Sequence, residues 1–99
     1  MSYPDSVAAD VRLHLLELLA GAAEYTGNEV SLQSQLSSAF GHSTSRDRMR
    51  TELTWLDEQG LITLQRPGGV YLATLTERGY DVSRGASQAP GIARPRPRF

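Results

Sequence analysis

Between Arg46 and Gln59 the apolar residues Met49, Leu53 and Leu56 return at i, i+4, i+7, which sets them on one stripe of a helix. Ser45 stands just before that stripe, where a hydroxyl can accept from unpaired backbone N–H groups. Gly60 stands just after it, where a helix commonly ends in a left-handed residue. Leu61–Arg66 and Val70–Leu75 are β-prone runs around Pro67-Gly68-Gly69, a turn that calls for positive φ, so the pattern predicts a two-stranded hairpin. Upstream, a first helix is expected from about Asp5 to about Ala23, with Pro4 and Asp5 suited to its first turn. It carries two stripes: Val7, Val11, Leu15 and Leu18 on one side, and Ala9, Leu13, Leu16 and Ala20 on the other. A helix apolar on two sides is either sandwiched inside the domain or shared with a partner. Tyr25-Thr26-Gly27-Asn28 reads as a turn. A short second helix over Leu32–Phe40 ends at Gly41, and His42–Ser45 is a link short enough to force a sharp angle. Thr76 is placed to cap a last short helix, Glu77–Ser83.

Composition narrows the classes. The chain has 99 residues and is 39% apolar, enough for one modest core. It has no cysteine, which excludes disulfides, thiolate catalysis and cysteine zinc sites. Val11–Ala23 is the most apolar stretch, but Arg12, His14 and Glu17 interrupt it, so no membrane span and no secretion signal are expected. All ten cations are arginine against eleven acids, a net charge of −1. Residues 84–99 hold four arginines and no acid, so residues 1–83 carry a formal −5. Positive charge therefore gathers in two places, residues 46–50 and the tail. After residue 84 the composition turns to Gly, Ala, Ser, Pro and Arg, so 1–83 is read as the domain and 84–99 as an extended or disordered tail.

The order helix, helix, third helix, hairpin, short helix resembles the winged helix-turn-helix superfamily. The residues that carry the likeness are Ser45, then Leu53-x-x-Leu56-x-x-x-Gly60-Leu61-Ile62, and Leu75-Thr76-x-x-Gly79 at the end of the second wing strand. Over nearly its whole length the chain resembles a group of small Mu-like bacteriophage and prophage proteins, through SRDRMRTELTWLDEQGLITL, ATLTERGYDV and PGIARPRPR. The likeness implies an α+β, mostly helical fold and a location in the cytoplasm of a bacterial host. It further implies a double-stranded DNA-binding regulator or DNA-packaging accessory. The alternative is a non-enzymatic adaptor that uses the same scaffold to bind a phage or host protein.

With Met49 inward, Asp47, Thr51, Thr54 and Glu58 point away from the core, Arg50 lies on one flank, and Arg48 and Trp55 share the other. The expected DNA contacts are Ser45, Arg46, Arg48, Arg50, Thr51 and Thr54 on the third helix and Arg66 on the wing. Arg48 or Arg50 would pair with guanine, and Arg46 or Ser45 would meet phosphate. Asp47 on that face fits DNA less well and equally suits a solvated or protein-binding surface. Arg94, Arg96 and Arg98 alternate with prolines and would add phosphate contacts, bind an acidic groove or serve solubility. The stripe Ala9, Leu13, Leu16 and Ala20 offers a homodimer surface unless a later element covers it. Trp55 is expected to pack beneath the first helix or the wing. His14 reads as a partly buried core residue, and His42 as a cap or solvated turn residue, the two too isolated to hold a metal. No Ser/His/Asp order, phosphate-binding glycine loop or HExxH spacing is present, and Asp57-Glu58 diverge on a helix, so neither an enzyme nor a cofactor is expected.

Overall fold

Residues 3–97 are described by a computed structural model. The Ser45 hydroxyl accepts from the Arg48 N–H at 3.1 Å and opens helix α3, Arg46–Glu58. The Thr76 hydroxyl accepts from the Gly79 N–H at 3.0 Å and opens helix α4, Glu77–Ser83. Helix α1 spans Tyr3–Ala20 and helix α2 Glu29–Phe40. The second helix begins earlier than its apolar spacing suggests, because the Asn28 side chain caps it at the Ser31 N–H, 2.8 Å away. Gly41, with φ of 72°, closes it.

The segment read as a turn is in part a strand. Thr26–Asn28 (β1) pairs antiparallel with Leu72–Leu75 (β3), which also pairs antiparallel with Ile62–Gln65 (β2), giving a three-stranded sheet in the order β1-β3-β2. Three residues are too few to show a period-two pattern, and the partner lies more than forty positions away, so nothing local announces β1. Ahead of it, Glu24 and Tyr25 both adopt left-handed backbone, with φ of 55° and 57°. The result is a mostly helical α+β fold of four helices and one small sheet.

Both stripes of α1 are buried. Leu15, Leu16 and Leu19 meet Leu32 and Leu36 of α2, Met49, Leu53 and Leu56 of α3, and Leu61, Ile62, Leu75 and Val82. The surface expected for a dimer is therefore not free: Ala9, Leu13 and Leu16 are almost entirely inaccessible and Ala20 is half-buried. Helix α4 packs along α1, and so does the segment after it. The residues beyond Ser83 were expected to stand apart, yet Ala89 is buried in the core cluster and Ile92 packs against it. The Ala93 N–H donates to the Ala9 carbonyl at 3.2 Å. Composition misled here because Ala89, Ile92 and Ala93 lay an irregular segment on α1 and the core with few apolar side chains.

Gly79 fixes how closely α4 approaches the sheet. A β-carbon there would lie 2.0 Å from the Leu61 carbonyl oxygen, so Leu75-Thr76-x-x-Gly79 is a packing requirement as much as a cap. No helix among the described residues is long and apolar enough to cross a membrane.

Candidate nucleic-acid interface

The N-terminal half of α3 is organised by two buried carboxylates. Glu29, at the start of α2, is fully buried. It takes Arg50 in a two-pronged contact, Nε to Oε1 at 2.8 Å and Nη2 to Oε2 at 3.1 Å. The Tyr71 N–H at the base of the hairpin donates to the same carboxylate, and Arg46 Nε lies 3.5 Å from it. Hydrogen bonding from Arg50, helped by Tyr71 and by the nearby arginine charges, holds the Glu29 carboxyl below the usual glutamate range even though burial opposes this. Arg50 is correspondingly held more firmly protonated. Its Nη2 also donates to the Gly69 carbonyl in the hairpin tip at 3.1 Å, so one guanidinium joins α3, α2 and the hairpin.

Glu52 is the second buried carboxylate. Arg48 Nε reaches its Oε2 at 2.8 Å, and Arg12 Nε of α1 reaches its Oε1 at 2.7 Å. Arg12 further donates to the Gly91 carbonyl at 3.1 Å and lies 4.0 Å above the centre of the Trp55 ring. Trp55 is thus half-buried beside α1, as its flank position suggested, and the post-Ser83 segment covers it as well. Each cluster contains two arginines and one glutamate, a surplus of one positive charge. Charged hydrogen bonds of this kind are roughly twice as strong as neutral ones and fix the guanidinium plane.

The other expected contact residues divide. Ser45 spends its hydroxyl on the cap, and the Thr51 hydroxyl donates to the Asp47 carbonyl at 3.0 Å, so both are satisfied within α3. Thr54 is half-buried on the same helix. Arg66 is exposed and lies 4.7 Å from the Tyr71 ring centre, with Arg50 4.6 Å from that centre. The tail arginines do not join this group. Arg94 donates to Gln88 at 3.1 Å, Arg96 lies beside Glu17, Gly21 and Tyr80, and Arg98 is outside the described residues.

Across 94 residues the chain is 43% identical to the uncharacterized protein gp26 of Escherichia phage Mu, covering 95% of this chain and 96% of that protein. The chain belongs to the Mu gp26 family. A second relative, an uncharacterized protein of Haemophilus influenzae, is 40% identical over 79 residues, covering 79% of this chain and 76% of that one. No protein-family model matches the chain, and no solved structure matches it. Membership of the gp26 family ties the chain to Mu-like phages.

Sequence reasoning missed three of the residues that shape these clusters: Arg12, Glu29 and Glu52. Glu52 had a legible signal, since it follows Met49 by three and Arg48 by four, on the inner side of α3. Arg12 looked only like an interruption of an apolar run. Glu29 had no local signal, because its partners are 21 and 42 positions away.

Proposed function

We propose that this protein binds double-stranded DNA in the manner of a winged helix, with α3 entering the major groove and the β2–β3 hairpin touching the adjacent backbone. The element order α1-β1-α2-α3-β2-β3, with β1 outside β3, supports that reading, as does the short link between α2 and α3. The observation that carries it is the pair of clusters on α3. Arg48 meets Glu52 through Nε, Arg50 meets Glu29 through Nε and Nη2, and Arg46 Nε lies 3.5 Å from Glu29, which orients the guanidiniums at the surface with a net positive charge. Ordering these side chains during folding lowers the entropy cost of binding later. Such a protein would serve a Mu-like phage as a regulator or a packaging accessory.

A second reading is an adaptor for a phage or host protein. It is favoured by Asp47, Asp57 and Glu58, which are exposed on α3 and would oppose phosphate. Titration with a generic duplex at two salt concentrations separates the readings. DNA binding should weaken with a log–log slope of about three to five, the charges available on α3 and the hairpin. No measurable binding at low salt would leave the adaptor.

A further inference from the structure

One side chain reaches from α1 to both the proposed reading helix and the segment after α4. Arg12 Nε donates to Glu52 Oε1 at 2.7 Å, its Nη1 donates to the Gly91 carbonyl at 3.1 Å, and its guanidinium lies 4.0 Å above the centre of the Trp55 ring. We infer that Arg12 is a positioning residue for Arg48: by holding one oxygen of Glu52 it keeps Arg48 extended toward DNA, and the segment after α4 controls that hold through Gly91. The inference rests on the DNA-binding reading and adds to it a means of regulation from the C-terminal side of the chain.

Three observations carry it. First, the two buried carboxylates are gripped differently. Arg50 takes both oxygens of Glu29, with Nε and Nη2, whereas Arg48 takes only Oε2 of Glu52, with Nε, because Arg12 occupies Oε1. Among the described residues the Nη groups of Arg48 make no hydrogen bond, so they stay available to a ligand. A guanidinium left alone with a buried carboxylate closes on both oxygens, since the paired geometry is the stronger one. Without Arg12, Arg48 would turn in as Arg50 does, and the cluster would lose its surplus positive charge. Second, Arg12 is itself withdrawn from the surface: its side chain is 19% exposed, against 49% for Arg48. It acts through Glu52 and not by touching DNA. Third, the segment is seated tightly on this joint. Gly91 has φ of 86°, and a β-carbon there would lie 2.9 Å from the Trp55 ring and 3.2 Å from Arg12 Nη1. The backbone thus comes closer to α3 and Arg12 than a residue with a side chain would allow, and lifting it removes a hydrogen bond that steadies the guanidinium on Oε1. A partner that draws the segment away would weaken DNA binding, and by linkage bound DNA would hold the segment down.

The test measures duplex DNA affinity for the full chain and its variants, with thermal melts to show that each is folded. Arg12→Met keeps an apolar stem over Trp55 and leaves Glu52 to Arg48, and it should lower affinity several-fold. Arg12→Lys can still place an ammonium on Oε1 and should keep most of the wild-type affinity. The deciding measurement is a double-mutant cycle. In an Arg48→Ala background Arg12→Met should change affinity no further, because the residue it positions is gone. A merely structural role would lower affinity by the same factor in both backgrounds, and that result would overturn the inference. Gly91→Ala leaves every charge in place and tests the segment's part. It should shift the emission of Trp55, the chain's single tryptophan, and lower affinity only while Arg48 is present. It also supplies the cycle in the event that Arg12→Met does not fold. An emission shift with unchanged affinity would refute control by the segment. If wild type binds no duplex, the DNA reading falls and this extension with it; if wild type binds and the cycle is additive, only the extension falls.

Discussion

Arg50 shows how a single residue can hold two roles that sequence reasoning separates. Its exposed, flanking position suggests a side chain that matters for binding and not for folding. The structure places it on a buried carboxylate, and removing one partner of such a pair leaves the other desolvated. Arg50→Ala should therefore lower the melting temperature by several degrees as well as weaken DNA binding, and Arg50→Lys should recover only part of the stability because an ammonium cannot reproduce the fork. A thermal melt of Arg50→Ala that matches wild type would show that the Glu29 contact contributes nothing. Gly79 is a second case. A methyl group there meets the Leu61 carbonyl, which is backbone and cannot rotate away, so Gly79→Ala should destabilise the fold by about 1–3 kcal/mol or more in denaturant titrations. At this scale the sequence shows which residues are apolar and inward. It does not show which polar ones share a partner, because an ion pair between positions 29 and 50 leaves no trace in periodicity.

Helix α3, helix α4 and the hairpin were legible because each is bounded by its own cap or turn residues: Ser45 and Gly60, Thr76, Pro67-Gly68-Gly69. Strand β1 was not, since its pairing is entirely with β3. The contact between α1 and the end of α2 was hidden in the same way. His14 and His42 look isolated along the chain, yet His14 Nδ1 and His42 Nε2 lie 3.1 Å apart, and the His14 ring stacks on Phe40 with centroids 3.9 Å apart. Burial first, then His42 and Arg96, push the His14 pKa below its ordinary 6.5, with Asp10 opposing; Glu17 Oε1 lies 3.9 Å from its other nitrogen. A histidine held neutral in the folded state binds fewer protons than in the unfolded chain. Its contribution is therefore complete above pH 6.5 and declines as the pH falls below that value. Melting temperature should drop between pH 7.5 and pH 5.5, and His14→Gln should flatten that part of the profile. An unchanged slope in the variant would remove the histidine pair from the account.

For the molecule as a whole, the segment after Ser83 completes the fold. It covers the second stripe of α1 and Trp55, and Arg12 binds it to the same carboxylate that holds Arg48. Ending the chain after Ser83 should uncover Trp55 and the Ala9 turn of α1 and cost stability on the order of 2–4 kcal/mol, from about 100 Å² or more of apolar surface and several lost hydrogen bonds; a truncated chain as stable as the full one in urea would show the segment to be ornamental. That seam also bears on how the protein folds. The bond from Ala93 to Ala9 and the one from Arg12 to Gly91, 79 positions apart, close almost the longest loop this chain can form. Such contacts carry the greatest closure entropy and gain least before the rest is in place. The seam should therefore form after the folding barrier and open before it in reverse. Weakening it, as Ala93→Pro would by deleting the N–H, should speed unfolding while refolding keeps nearly its original rate.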